Sequence, residues 1–208
     1  MPPRDPAAPA AGRTVAQTRG ARSLKPGKPK SDTAIRCFVA LQPDDEARSR
    51  LDQLAQEQHG RFPAARRMRA GNLHLTLAFI GALEAERARQ VAAALAAASF
   101  EPFAWALDAV GSFGRARVLW AGGSDARLDA MAAQARRLLD ELGVPYDRKP
   151  FVAHVTLLRK LPRDATQDAA HRIEPPIRWQ AGAPVLLESR SGADGTRYVP
   201  VPVRGSNG

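Results

Sequence analysis

An α+β fold made of two similar halves is what this sequence predicts, and three observations lead there. Short apolar runs of strand length alternate with three helix-length stretches. The last apolar runs are separated only by turn residues, as in a hairpin, so the sheet is not built from βαβ units alone. The order strand, helix, His-bearing strand occurs twice, over residues 35–41, 43–58 and 73–80 and again over 117–121, 124–142 and 152–158. This reads as a weak internal duplication giving two lobes, with no short-period repeat.

The first strand is the apolar run 35–41. Pro43 opens a helix with Asp44, Asp45 and Glu46 in its first turn, where acids oppose the helix dipole. Ala47, Leu51, Leu54, Ala55 and Gln58 follow at helical spacing, and Gly60 is the expected stop. A loop over 63–72 carries Arg66, Arg67 and Arg69 into the strand 73–80, which Gly81 closes. Residues 84–98 form an Ala-rich helix. Strands follow at 103–110 and 117–121, with the glycines of 111–114 between them. Ser124 is the expected cap of the third helix, whose apolar stripe is Leu128, Met131, Ala135, Leu138, Leu139 and Leu142. Gly143 is its C′ glycine. After Pro145 and Phe151 comes the strand 152–158. Residues 162–176 read as a Pro-bounded loop. Residues 184–190 and 196–203 form a hairpin.

The 208 residues hold 44% hydrophobic residues, enough for one medium-sized body. No apolar run reaches the ~18 residues of a membrane span, and the N-terminus has no hydrophobic signal core. The one cysteine, Cys37, cannot build a disulfide framework. Its place in an apolar strand fits a buried thiol in a reducing cytoplasm. Net charge is +10, and residues 1–33 contribute half of it, with seven Lys/Arg against two Asp. That segment is rich in Pro, Ala, Gly and Arg without apolar periodicity, so 1–33 is expected to be a disordered basic tail. Its prolines oppose the amphipathic helix of a transit peptide. Residues 34–204 are the expected two-lobed domain. The charge favours a polyanionic partner such as RNA.

Function is written in two short strings, His74-Leu75-Thr76-Leu77 and His154-Val155-Thr156-Leu157. Thr occupies only 7 of 208 positions, yet two of the four histidines have Thr two places on, which chance seldom produces. Strand side chains alternate faces, so His and Thr of each string share one face, their Cα atoms about 6.6–7 Å apart. Two imidazoles suit acid–base work near neutrality, one neutral and one protonated. In-line displacement at phosphorus needs a base and an acid on opposite sides of the phosphate. Thr hydroxyls and an Arg suit the charged oxygens. A 2′,3′-cyclic phosphate is a fitting substrate, because its ring oxygen is a built-in leaving group. There is no HExxH, no paired Cys, and no Asp or Glu within either string, so neither metal nor cofactor is expected. Buried structural polar pairs are the competing reading, which a single such string would have favoured.

These strings, with Phe79-Ile80-Gly81, Val118-Leu119-Trp120-Ala121-Gly122, Arg148-Lys149-Pro150-Phe151, Leu158-Arg159 and Leu186-Leu187-Glu188-Ser189, resemble the two-histidine (2H) phosphoesterase superfamily. The chain is most similar to its LigT-like RNA 2′,3′-cyclic phosphodiesterases, also known as 2′-5′ RNA ligases, over about residues 35–203. The resemblance implies a bilobal fold with a central cleft, outer helices and no metal. It implies hydrolysis of RNA 2′,3′-cyclic phosphate ends to 2′-phosphomonoesters. His74 would then be general acid to the departing 3′ oxygen and His154 general base for water. Thr76, Thr156 and Arg159 would bind phosphate. Strict alternation turns Arg159 away from His154, so it reaches the site only if the strand ends or twists before it.

Phe151 is a candidate base contact or a core residue, and Trp120 reads as core. Arg66, Arg67 and Arg69 line a path for further phosphates or belong to a solvated loop, with Arg69 the candidate RNA contact. His59 and His171 read as surface residues. The expected partners are RNA or nucleotide 2′,3′-cyclic phosphates, tRNA fragments among them, and the expected state is a monomer away from membranes. Two other functions use the same strings: 2′-5′ ligation of tRNA halves, and a nucleotide- or RNA-binding module without turnover.

Overall fold

The computed structural model describes residues 34–163, 170–193 and 195–203. The expected basic tail, residues 1–33, lies outside the described residues. The strands are β1 (Ala34–Leu41), β2 (Arg66–Arg67), β3 (Leu75–Glu84), β4 (Phe103–Phe113), β5 (Val118–Gly122), β6 (His154–Arg159), β7 (His171–Ala181), β8 (Val185–Gly192) and β9 (Gly195–Pro200). The helices are α1 (Asp45–Arg61), α2 (Ala85–Ala97) and α3 (Ala126–Glu141), with a 3₁₀ turn at Ala70–Asn72. The sheet runs β7-β4-β5-β6-β3-β1-β8-β9, every pairing antiparallel, and β2 adds to the free length of β6.

Two four-stranded halves meet in this sheet, and a single pair, Leu75 with Val155, joins β3 to β6. Both residues are fully buried. Each is the second residue of a His-x-Thr string, so the join passes through the middle of both motifs. The helices cross it. α1 leaves β1 and packs on β6 and β7 of the other half; α3 leaves β5 and packs on β3. Each half therefore buries apolar surface contributed by its partner. Leu51, Leu75, Leu128, Leu139, Leu157 and Trp179 share one core. The expected antiparallel α+β architecture with outer helices is what the chain forms.

Local chemistry accounts for the helix ends. Asp44, not Pro43, caps α1. One carboxylate oxygen accepts the Ala47 N–H at 2.8 Å, and the other accepts the Gln180 N–H of β7 at 2.8 Å. The five predicted apolar-face residues of α1 are the five it buries, but the helix passes through Gly60 to Arg61. Asp125 rather than Ser124 caps α3, because its carboxylate reaches the Arg127 N–H at 2.9 Å. Gly143 and Val144 close α3 with N–H bonds back to Asp140 and Leu139, a Schellman arrangement.

Expectations for the strands change too. Gly81 bends β3 instead of ending it: at φ 87 it pairs with Cys37 beside a bulge, and the strand continues to Glu84. The predicted loop 63–72 contains β2. The predicted loop 162–176 contains most of β7. Pro175 and Pro176 lie inside that strand. β7 is an edge strand, and its ladder with β4 is interrupted between Leu107 and Ala109, where missing N–H donors cost little. Residues 164–169 of that predicted loop lie outside the described residues. The predicted hairpin at 184–203 is present as β8 and β9.

Candidate functional site

His74, Thr76, His154, Thr156 and Arg159 all line one cleft of about 360 Å³. Antiparallel pairing of Leu75 with Val155 sets His74 on the side of Thr156 and Thr76 on the side of His154. The two histidines are then diagonal neighbours, and diagonal positions in such a pair stand about 7–8 Å apart.

The two rings are held alike. His74 Nδ1 lies 2.7 Å from the Asn72 carbonyl, and His154 Nδ1 lies 2.7 Å from the Val152 carbonyl. A carbonyl only accepts, so each Nδ1 carries a hydrogen, and Nε2 is left to exchange protons. Aromatic rings fix the planes. Phe38 lies 4.8 Å from His74, and Tyr198 meets it edge-on at 4.9 Å. Phe113 meets His154 edge-on at 4.9 Å, and Trp120 stands behind it at 6.4 Å. Trp120 is half-buried rather than core. Its indole lies against β4, where a Cβ at Gly111 would fall 2.3 Å from the ring, so that position admits only glycine.

Matching bulges shape both motif strands. Ala40 pairs with Thr76 and Val39 with Ala78, which leaves Leu77 extra in β3. Trp120 pairs with Thr156 and Leu119 with Leu158, which leaves Leu157 extra in β6. The Leu77 carbonyl accepts Arg136 Nε at 3.2 Å, and the Leu157 carbonyl accepts the Met68 N–H at 2.9 Å. The Leu157 bulge reverses the alternation, so Arg159, opposite Val118, returns to the face of Thr156. The predicted conflict of parity is thereby resolved. The same bulge in β3 brings Phe79 to the equivalent place, opposite Phe38.

Phe79 is 53% exposed and lines the cleft with Phe151, Lys149, Asp147 and Arg136. Phe79 is not among the residues expected in the cleft from the sequence. A signal existed: it stands five residues after His74, as Arg159 stands five after His154. Phe151 is half-buried in the cleft wall. Arg69 does not line this cleft; it borders a separate cavity with Arg66, Arg67 and Asn72. His59 bonds the Ala65 carbonyl at 3.1 Å, and His171 meets Gln58 at 3.4 Å, both away from the cleft. Buried Cys37 has its thiol pushed up to about 11 by burial first and by Glu188 second, so it stays protonated.

Burial depresses both imidazoles. His74 is 8% exposed and pushed down to about 4 by desolvation; its bond to Asn72 opposes this, and the Arg159 and His154 charges add to it. His154 is lowered by the same cause, again with Arg159 contributing. Both are therefore neutral in the free protein at pH 7. Neither threonine hydroxyl is engaged by another group among the described residues, and Arg159 has no ion pair there. The cleft thus presents two poised bases and unspent donors around a cation, a set suited to an anion with proton transfers on two sides.

A stability test follows from His74. Its folded-state value lies below the ordinary 6.5, so the unfolded chain binds more protons between pH 6.5 and 4. Stability from this group is present above 6.5 and is lost as pH falls towards 4, by about 3 kcal/mol. The urea midpoint of the wild type is expected to fall more between about pH 7 and about pH 4.5 than that of His74→Gln. Equal falls would show that His74 is not buried neutral.

A two-lobed antiparallel sheet with paired His-x-Thr strings facing one cleft defines a two-histidine phosphoesterase. The model of the LigT-like phosphoesterase family matches residues 41–120. An RNA 2′,3′-cyclic phosphodiesterase of Escherichia coli is 34% identical over 80% of this chain and 93% of its own length. Another, from Archaeoglobus fulgidus, is 32% identical over 60% of this chain and 72% of its own. The crystal structure of E. coli LigT complexed with 3′-AMP superposes with a TM-score of 0.68, at 27% identity over 80% of this chain and 95% of that one. The chain belongs to the LigT-like phosphoesterase family.

Proposed function

We propose that this protein hydrolyses RNA 2′,3′-cyclic phosphate ends to 2′-phosphomonoesters, using His74 and His154 as its proton-transfer pair. His154 Nε2 takes a proton from water as its oxygen attacks phosphorus. His74 Nε2 gives a proton to O3′ as the P–O3′ bond breaks. The pair then resets by exchange with solvent. Thr76, Thr156 and Arg159 hold the non-bridging oxygens. Phe79 and Phe151 offer apolar faces to the terminal base. The observation that carries this reading is the duplicated Nδ1 clamp, which leaves Nε2 of both rings unclamped in the one cleft that Arg159 also lines.

Because both rings are neutral in the free cleft, the proton that the acid delivers is taken up with the substrate anion, whose charge raises the imidazole it contacts. The described residues bring no three His, Cys, Asp or Glu together in a metal-binding group, and none of the described helices is long and apolar enough to cross a membrane. A cytoplasmic monomer acting on RNA ends, tRNA fragments included, fits this reading. The test is incubation with 2′,3′-cyclic AMP and with an oligonucleotide ending in a 2′,3′-cyclic phosphate, EDTA present. The expected products are 2′-phosphates. Formation of 3′-phosphates, no turnover, or loss of turnover restored by a divalent ion would overturn it.

A further inference from the structure

We propose a second phosphate site beside the cleft, built on Arg66, that takes the phosphodiester on the 5′ side of the terminal nucleotide. The strand β2 is two residues long, and its register with β6 pairs Arg66 directly with Arg159. Directly opposed residues of an antiparallel pair share a face, with Cβ atoms about 4.5–5.5 Å apart, and like charges so placed repel. Neither Arg66 nor Arg159 has an ion pair among the described residues. Other arginines are neutralised. Arg67, next along, is bound to Asp52 at 2.5 Å, and Arg127 and Arg148 are bound to Asp125 and Asp140 at 2.6 Å. Two directly paired, exposed arginines without an ion pair among the described residues carry a repulsion that a bound anion relieves.

The surroundings give Arg66 a site of its own. A cavity of about 310 Å³ is lined by Arg66, Arg67, Met68, Arg69, Asn72 and the β8–β9 turn at Ala193 and Gly195. Asn72 anchors β9 beside it: its Nδ2 donates to the Thr196 carbonyl at 2.7 Å, and its Oδ1 accepts the Tyr198 N–H at 3.0 Å. The backbone carbonyl of the same residue clamps His74. The second site and the reacting site are therefore fixed to one residue, which holds them at constant separation. Arg159 serves the reacting phosphate and Arg66 the next one, so the surface reads backbone and not base. Assigning the ligand as an RNA phosphodiester rests on the proposed hydrolysis of RNA ends; the existence of a second phosphate site does not.

Binding of adenosine 2′-phosphate and of adenosine 2′,5′-bisphosphate to the full chain separates the two claims. The wild type is expected to bind the bisphosphate about 10-fold more tightly, an advantage that falls as salt rises. Arg66→Ala is expected to bind the monophosphate as the wild type does, which also reports an intact fold, and to lose the advantage. An undiminished advantage in Arg66→Ala, or an equal loss for both ligands, would overturn the site. Absence of turnover of 2′,3′-cyclic AMP by the wild type, with the Arg66-dependent advantage intact, would refute the reaction and keep the phosphate site.

Discussion

His74→Ala and His154→Ala are each expected to lower turnover of a 2′,3′-cyclic phosphate by about 10²–10⁴-fold, the usual contribution of a positioned acid or base. Circular dichroism is expected to report the wild-type fold in both variants, since each ring hangs on one backbone carbonyl and on aromatic contacts at the cleft wall. The two losses separate with the leaving group. A cyclic or aryl diester whose leaving oxygen needs no proton restores the rate of the variant lacking the acid and leaves the other slow. On the assignment above, His74→Ala is rescued. Rescue of His154→Ala instead would exchange the roles. In the free cleft His74, at about 4, is the harder ring to protonate, so on this assignment its proton has to be taken up with the substrate anion. The dependence of kcat/KM on pH reports the free enzyme. With His74 at about 4 and His154 lowered from 6.5, its optimum is expected below 6.5. Wild-type turnover in either folded variant, or a flat profile, would remove the pair from the mechanism.

Removing Arg159 is expected to have the next largest effect. Arg159→Ala is expected to lower kcat/KM by about 10²–10³-fold, as loss of a donor to a developing anion does elsewhere. Arg159→Lys recovers part of this, because the charge remains while the paired N–H geometry is lost. A second readout distinguishes this from a structural defect. The Arg159 charge pushes both histidines down, so in Arg159→Ala both rise and the pH optimum moves upward. A variant with an unchanged optimum and undiminished kcat/KM would show that the guanidinium does not face the phosphate.

Most of the elements were legible in the sequence because they depend on local periodicity. The buried face of α1, the strands around both His-x-Thr strings and the final hairpin all appear as apolar spacing and turn chemistry. Errors fell where a partner overrides the local signal. β7 carries two prolines and still forms a strand, because it lies at an edge beside an irregular stretch of β4. β2 is only two residues long and has no periodicity to detect; the exposed length of β6 creates it.

The site divides in the same way. The sequence by itself determined the four motif residues, the face that each His shares with its Thr, and the type of chemistry that two imidazoles and two hydroxyls permit. These follow from residue identity and from the two-residue period of a strand. Only the tertiary structure decided that the two strings meet, through the one pair Leu75–Val155, and that both rings are clamped at Nδ1 and desolvated. It also decided that Arg159 faces the cleft. A bulge is a mismatch in count between two strands, and the extra Leu157 exists only relative to β5. No spacing within one strand can express it, which is why alternation along β6 alone points Arg159 the wrong way.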